Sequence, residues 1–176
     1  MNKFMKISPE QFLADTAQNY PEYKYDNIKL PKRATKYSAG YDFFAVSDFC
    51  IMPGMTKKIP SGIRVKLNTN SVLLIMPRSS LGFKYKLKLD NTVGVIDADY
   101  FDAKNEGHIW FSMTNMSSDK VLSIRAGEAI AQGIIVKYET AEEEKVTTTR
   151  EGGIGSTNVV DNEKKPTVVE PKVEAE

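Results

Sequence analysis

The chain has very few of the residues that build disulfides, zinc sites and covalent active sites. Its 176 residues include one cysteine, Cys50, and one histidine, His108. A single cysteine excludes an internal disulfide. One cysteine and one histidine are also too few to form the Cys and His cluster of a structural zinc site. Nucleophilic catalysis of the serine or cysteine type would have to depend on that one histidine. Carboxylates are therefore the remaining candidates for catalysis.

The chain also lacks a strong excess of charge and any long apolar run. It has 24 Lys and Arg against 23 Asp and Glu, a formal net charge of +1. That balance argues against a general basic patch, so we expect no nucleic-acid partner. No apolar run approaches the ~18 residues of a membrane span, and residues 1–7 lack the apolar core of a signal peptide. We expect a cytoplasmic protein with no membrane partner.

What is present is the composition of one globular domain with tails, at 41% hydrophobic and 10% aromatic residues. Residues 1–27 are assigned to an N-terminal extension. Within it, Ser8-Pro9-Glu10-Gln11 predicts a helix start, with a capping serine, proline at the first helical position and glutamine to close the capping box. Because Pro21 disfavours helical dihedrals at the preceding residue, the helix is predicted to end near Asn19.

Residues 28–140 are predicted to form an all-β core, since short apolar stretches alternate there with Gly, Pro, Asn and Asp. Period-two alternation is explicit at Ile63, Val65 and Leu67, and again at Tyr85, Leu87 and Leu89. The lysines that alternate with the second set, at 84, 86 and 88, could attract phosphate. We interpret them instead as a solvated strand face, or as a sheet edge whose lysines disfavour pairing with a further strand.

The apolar periodicity stops after Tyr138. Residues 141–160 form a C-terminal arm with a glycine-rich stretch. Residues 161–176 are Lys, Glu, Pro, Val, Ala and similar residues with no pattern that could bury surface, so we expect a disordered tail.

Five short segments occur in an order that is more informative than any one of them. They are residues 39–42 (AGYD), 77–82 (PRSSLG), 94–100 (GVIDADY), 127–132 (GEAIAQ) and 150–157 (REGGIGST). In this order they resemble the five motifs of the trimeric dUTPase family, over about residues 28–157. The resemblance implies a jelly-roll-like β-barrel or sandwich, Mg²⁺-dependent hydrolysis of dUTP to dUMP and pyrophosphate, and a homotrimer with shared active sites.

The second segment places an arginine and two serines after Pro77. A guanidinium fork, two hydroxyls and exposed backbone amides suit phosphate oxygens. Taken alone, the segment also fits a serine-capped turn with a surface arginine. The resemblance implies that Arg78, Ser79 and Ser80 hold the triphosphate.

The third segment carries the candidate catalytic residue. A carboxylate in a tight turn can take a proton from a water aimed at phosphorus, a role typically worth ~10²- to 10⁴-fold. Taken alone, Asp97 and Asp99 also fit turn-forming aspartates, and Tyr100 fits a core aromatic. The family pattern selects Asp97 as the general base and implies that the Tyr100 ring lies against the deoxyribose, leaving no room for a 2′-hydroxyl. It further implies that the base is read by Asn91, Gly94, Val95 and Ile96.

Uracil presents an acceptor, a donor and an acceptor along one edge, and an extended backbone with unpaired N–H and C=O groups can supply the complement. Cytosine reverses part of that pattern. Thymine keeps the same edge, so it must be excluded by atoms packed close to its methyl group.

The first and fourth segments each offer one polar side chain. Gln132 lies in an otherwise apolar strand and needs a partner, which could be an internal hydrogen bond. Asp42 could be a capping or turn residue. The resemblance implies that both organise the phosphates and an outer-sphere Mg²⁺ through water. Because magnesium is usually held by phosphate oxygens, waters and few carboxylates, we expect no dedicated protein cage.

The fifth segment alone would be a flexible linker, and it lacks the lysine of a P-loop. The resemblance implies a mobile arm that closes over the nucleotide. Its contacts would come from Arg150, Gly153, Ile154, Gly155, Ser156 and Thr157.

The chain departs from the family pattern at three places. Ile154 stands where many relatives have an aromatic residue, and Ala129 where arginine is frequent. Residues 101–106 look like an insertion. These features resemble phage or prophage versions of the family.

Two other functions are compatible with parts of the pattern. A dCTP deaminase shares the fold and part of the phosphate site, although the glycine-rich arm argues against it. A nucleotide-gated module that binds a regulatory protein partner belongs to a different class.

Overall fold

The computed structural model describes residues 1–142, and it confirms the all-β prediction. Within this range twelve strands and two short α-helices are present. The helices are α1 (Pro9–Thr16) and α2 (Ser79–Tyr85). The strands are β1 (Lys3–Lys6), β2 (Lys32–Arg33), β3 (Tyr41–Phe44), β4 (Phe49–Ile51), β5 (Thr56–Pro60), β6 (Ile63–Lys66), β7 (Ser71–Pro77), β8 (Leu87–Leu89), β9 (Gly94–Ile96), β10 (Trp110–Asn115), β11 (Leu122–Ile124) and β12 (Ala129–Lys137).

The strands form four antiparallel groups around one core. The largest is a five-stranded sheet in the order β2-β3-β12-β7-β9, and a three-stranded sheet has the order β5-β10-β8. Two pairs, β1 with β6 and β4 with β11, complete the framework. Inward side chains of the two larger sheets meet where the rings of Phe43 and Phe111 pack edge to face, with centroids 5.6 Å apart. Burial of such side chains is the main stabilising contribution.

The alternating pattern predicted β6 correctly, but it was wrong at residues 84 and 85. These residues end α2, and Lys86 terminates the helix in the left-handed region at φ 51°. The strand begins only at Leu87, which pairs with Asn115. The lysines at 84, 86 and 88 are all exposed, and β8 lies at the edge of its sheet.

The N-terminal extension packs on the β core. Strand β1 pairs with β6, and Phe12 and Tyr23 are buried in the core. Helix α1 begins as predicted, because the Gln11 N–H donates to Ser8 Oγ at 3.1 Å. It ends at Thr16, three residues before the predicted end.

The predicted capping box at α1 was wrong in its second half. The Ser8 N–H donates to Glu106 Oε2 at 2.8 Å, and Ser8 Oγ donates to Glu106 Oε1 at 2.6 Å. A carboxylate from residues 101–106 therefore takes the place expected for Gln11. The hydrogen bonds from Ser8 hold the pKa of Glu106 below its ordinary value. The same segment is held by Arg64, whose guanidinium lies 3.6 Å from the centroid of the Phe101 ring.

No helix within residues 1–142 has the length and apolarity needed to cross a membrane.

The Glu106 cap predicts an acid-dependent stability. A carboxyl group whose pKa is lowered by folding stabilises the protein above its unfolded-state pKa, about 4.3, and loses that contribution as the pH falls through the folded value. Glu106→Gln should lower the free energy of unfolding by about 1 kcal/mol at pH 7. Urea unfolding between pH 7 and pH 3 should show this difference shrinking below about pH 4. Glu128→Gln, at an exposed residue away from α1, should have little effect on the free energy of unfolding. If the effect of Glu106→Gln on that free energy did not depend on pH, the assignment of Glu106 as the cap would be contradicted.

Candidate functional site

A cavity of about 940 Å³ lies beside β9 and the loop that joins it to β8, and it brings together most of the third segment. The predicted residues that line it are Asn91, Gly94, Val95, Ile96, Asp97 and Tyr100. The opposite wall comes from β5 and β10, through Lys58, Trp110 and Ser112. The cavity is thus lined by β9 and the loop before it, and by residues of the three-stranded sheet.

Strand β9 presents its backbone to this cavity. It lies at the edge of the five-stranded sheet, so one side of it pairs with β7 and the other is paired with no strand of residues 1–142. At Gly94 a Cβ atom would lie 3.2 Å from Ile75 Cβ, which is closer than an ordinary contact. Glycine therefore permits the close approach of β9 to β7. An unpaired strand edge offers N–H donors and C=O acceptors in a fixed row.

Asp97 and Tyr100 follow β9 directly. Asp97 is half-buried at the entry to a 3₁₀ turn over Ala98–Asp102, whereas Asp99 in the same turn is exposed. Tyr100 is buried, and its hydroxyl donates to the His108 carbonyl at 2.8 Å and accepts from Asn105 Nδ2 at 3.0 Å. The chain therefore places a carboxylate and a fixed aromatic ring in one cavity.

Asp90 is a cavity residue that the sequence analysis missed. Its carboxylate accepts hydrogen bonds from Ser112 Oγ and Thr114 Oγ1, both at 2.5 Å, and its N–H donates to the Ser112 carbonyl at 3.0 Å. The two hydroxyl donors lower the pKa of Asp90. These bonds attach the β8–β9 loop, which carries Asn91, to β10. No sequence signal could identify them, since the partners are more than 20 residues away.

Three further predicted residues form a second cluster, on β3, β7 and β12. Asp42 and Gln132 are cross-strand neighbours. Arg78 Nε lies 3.2 Å from Asp42 Oδ1, and Gln132 Nε2 donates to the Pro77 carbonyl at 3.4 Å. Gln132 thus makes the internal hydrogen bond that the sequence left open. A Cβ at Gly40 would lie 3.0 Å from Gln132 Oε1, so glycine leaves room for this amide.

Arg78 precedes α2, and Ser79 and Ser80 form the exposed first turn of that helix. The serines therefore begin a helix, where the sequence analysis expected a turn. Strand register separates this second cluster from Asp97. Leu73 pairs with Ile96, the residue before Asp97, and Arg78 lies five residues further along the chain from Leu73. At ~3.3 Å per residue this corresponds to about 17 Å along the strand.

Three other residues that line the cavity were missed because they come from the N-terminal extension. They are Asp15, Asn19 and Tyr20. None of the five segments includes them, and the helical pattern of α1 gives no sign of where the helix packs. Asn105, from the 101–106 segment, lines the cavity as well.

Within residues 1–142 there is no group of three or more His, Cys, Asp and Glu side chains that could hold a metal ion. The predicted arm residues Arg150, Gly153, Ile154, Gly155, Ser156 and Thr157 lie outside the described residues, as does the 161–176 tail.

Comparisons with known proteins agree on one family. The dUTPase family model matches residues 26–159. The deoxyuridine 5′-triphosphate nucleotidohydrolase of Lactococcus lactis is 40% identical over 139 residues, covering 77% of this chain and 92% of that protein. A dUTPase crystal structure from Streptococcus mutans has a TM-score of 0.63 at 33% identity, covering 79% of this chain and 98% of that one.

A phage structure shares the fold at lower identity. It is a point-mutant dUTPase from phage phi11 of Staphylococcus aureus, with a TM-score of 0.61 at 21% identity, covering 84% of this chain and 97% of that one. Its description refers to a structural Mg(II) ion. With an all-β fold and a motif-lined cavity beside an edge strand, the molecule is of the nucleotide-hydrolase class built on the dUTPase jelly roll. The chain belongs to the dUTPase family.

The role assigned to Asp90 predicts a local change in the dynamics of the β8–β9 loop. Asp90→Ala should speed amide hydrogen exchange about tenfold at Asp90 and Thr92, because the loop loses two hydrogen bonds to a charged acceptor. Exchange monitored by NMR would detect this. Asp48→Ala is a matched control, since Asp48 accepts from the Ala126 N–H in another turn and should affect exchange only there. An unchanged rate of amide exchange at Thr92 would show that Asp90 does not anchor the loop.

Proposed function

We propose that the chain hydrolyses dUTP to dUMP and pyrophosphate. One observation carries the proposal: the unpaired edge of β9 leads directly into Asp97 and Tyr100, all lining a single cavity. Neighbouring residues of one segment can then bind the base, contact the sugar and activate the attacking water. The dUTPase family match over residues 26–159 includes this whole segment.

The base is read by backbone atoms of Gly94, Val95 and Ile96 and by the Asn91 side chain. An edge strand offers alternating donors and acceptors that complement the O2, N3–H and O4 edge of uracil. Cytosine would leave buried polar groups unpaired, and such a mismatch discriminates by roughly 10⁴ to 10⁵. The close packing of β9 on β7 limits how far the strand can adjust to a wrong base.

Asp97 acts as the general base. It accepts a proton from a water that attacks the innermost phosphorus; a new P–O bond forms, the bond to the bridging oxygen breaks, and pyrophosphate leaves. Much of the acceleration comes from positioning, because β9, the loop before it and the 3₁₀ turn hold the base, sugar and carboxylate in fixed relation. The Tyr100 ring packs against the deoxyribose and blocks a 2′-hydroxyl.

The second cluster, Asp42, Arg78 and Gln132, together with Ser79 and Ser80, holds the phosphates. Its donor set suits an outer-sphere Mg²⁺: a carboxylate and an amide are cross-strand neighbours, and Arg78 already contacts one oxygen of Asp42, which favours contact through water. The bound ion would offset phosphate charge. Arg78 supplies a fixed positive charge with bidentate geometry for the phosphate chain.

We infer a homotrimer in which each site is shared between subunits. Asp97 follows Ile96, which pairs with Leu73, and Arg78 lies about 17 Å further along the chain from that pair. This separation is too long for one triphosphate to contact Arg78 and Asp97 of the same chain. A neighbouring subunit could bring its own Arg78 to the cavity. Phe83 is 91% exposed on the helix that follows Arg78, and an aromatic side chain so placed suits a subunit contact. Residues 150–157 of the arm would close the site.

Product analysis tests the reaction. The protein is incubated with dUTP, dCTP, dTTP and UTP in the presence of Mg²⁺. Pyrophosphate from dUTP alone is the expected result. Ammonia release from dCTP would instead identify the deaminase relative, and binding of nucleotide without either product would identify a module that acts through a regulatory protein partner.

Asp97→Asn, carried through the same assay, should lower kcat for dUTP by about 10²- to 10⁴-fold, since the amide cannot take the proton. Affinity for a nonhydrolysable dUTP analogue, measured by calorimetry, should change little. Asp99→Asn is the matched control in the same turn and should retain most of its activity. A variant at position 97 with a near-normal kcat would exclude the general-base role.

Shared sites predict complementation between two inactive variants. Arg78→Ala and Asp97→Asn proteins should each be nearly inactive. When they are unfolded together and refolded as an equal mixture, activity should recover to about a quarter of the wild-type value, because each site needs two intact contributors and each is present in half of the subunits. Sedimentation would verify mixed trimers. Inactive mixed trimers would show that sites lie within single chains.

A further inference from the structure

His108, the only histidine in the chain, lies fully buried between the N-terminal helix and the sugar end of the cavity. Its Nε2 accepts the Gly62 N–H at 2.9 Å, so in the neutral ring the proton is on Nδ1. Nδ1 lies 2.6 Å from Asp15 Oδ2 and donates to that carboxylate. The two partners thus fix both the tautomer and the orientation of the imidazole.

The backbone of the same residue holds Tyr100. The His108 carbonyl accepts the Tyr100 hydroxyl at 2.8 Å, and Asn105 Nδ2 donates to that hydroxyl at 3.0 Å. Because the hydroxyl both donates and accepts, a tilt or shift of the ring that moves its oxygen would break two bonds in a buried setting. The ring that faces the sugar is therefore anchored at its far end by residues 105 and 108.

The surroundings leave the imidazole little freedom to move. The Trp110 ring lies 5.1 Å from it and the Phe12 ring of α1 lies 6.5 Å from it, centroid to centroid. Gly107, the preceding residue, has φ +68°, and a Cβ there would lie 2.5 Å from the Tyr100 carbonyl oxygen. The backbone of residues 100–108 thus packs tightly against Tyr100, so a displacement of residue 108 would also displace residue 100.

We propose that Asp15 and His108 are positioning residues that fix the Tyr100 ring as the barrier to a 2′-hydroxyl, so that the N-terminal helix contributes to the choice of deoxyribose over ribose. The inference rests on the proposed function, in which Tyr100 faces the sugar. A steric barrier excludes an added hydroxyl only if it cannot yield, and a small displacement of a positioned group can change rates by roughly 10²-fold. Asp15 also lines the cavity itself.

The test is the ratio of kcat/KM for dUTP to kcat/KM for UTP. Asp15→Ala should lower this ratio at least about tenfold, mainly by raising the rate with UTP, because the freed imidazole lets the Tyr100 ring shift. Asp15→Asn keeps an oxygen acceptor for Nδ1 and should restore most of the ratio. A purely structural role for Asp15 would reduce both rates together and leave the ratio unchanged.

The matched control on the same helix is Thr16→Val. Thr16 is buried and donates only within α1, to the Phe12 carbonyl at 2.6 Å. Its replacement should destabilise α1 without altering the ratio. Suppose that Thr16→Val lowers Tm by as much as Asp15→Ala does and also lowers the ratio by as much. General loosening of the helix is then the cause, and the proposal fails.

Two Tyr100 variants separate this inference from the proposed function and do not depend on the folding of Asp15→Ala. Tyr100→Phe removes the hydroxyl and should lower the ratio as Asp15→Ala does, and combining the two should add nothing further. Tyr100→Ala should abolish selectivity for deoxyribose. If Tyr100→Ala leaves the ratio intact, the proposed sugar site is wrong. If it lowers the ratio while Asp15→Ala and Tyr100→Phe do not, only the positioning inference is overturned.

Discussion

The pairing of β9 with β7 is the constraint on which both clusters of site residues depend. Gly94 allows β9 to approach Ile75 so closely that one edge of the short strand is fully satisfied while the other faces the cavity. The same β7 strand ends at Pro77 and delivers Arg78 to Asp42. One strand thus sets the position of the proposed base-reading backbone and of the proposed phosphate contact. Any side chain at position 94 would shift one relative to the other.

This arrangement also explains why the two clusters are separate within one chain. An antiparallel strand pair carries its partners in opposite directions, so β9 leads to Asp97 while β7 leads away to Arg78. The proposed sharing of sites between subunits would resolve that geometry, because symmetry would supply the missing half from a neighbour. The proposed trimer would follow from strand direction and register, in addition to any apolar contact such as the exposed Phe83.

The N-terminal extension is connected to this site through residues 101–108. Glu106 caps α1 and His108 bonds Asp15, while the same segment anchors the Tyr100 hydroxyl. Residues 101–106, which resembled an insertion, and the two residues that follow therefore join the helix to the cavity wall. Their contacts include hydrogen bonds to the carboxylates of Glu106 and Asp15 with short, well-defined geometry, which suits positioning more than bulk stability. The chain has gained a third wall to the cavity that the five segments alone do not provide.

The sequence by itself determined the family, through the order of five segments, and the all-β class, through alternation at Ile63, Val65 and Leu67. It also located the start of α1, because capping by Ser8 is a local interaction. Tertiary structure decided the conformation where local sequence patterns were ambiguous. It also decided the hydrogen bonds whose two partners are distant in the sequence. Residues 84 and 85 alternate like a strand but end a helix, since Lys86 adopts positive φ. Glu106, His108 and Thr114, which bond Ser8, Asp15 and Asp90 respectively, lie more than 20 residues from them, and only folding brings each pair within hydrogen-bonding distance.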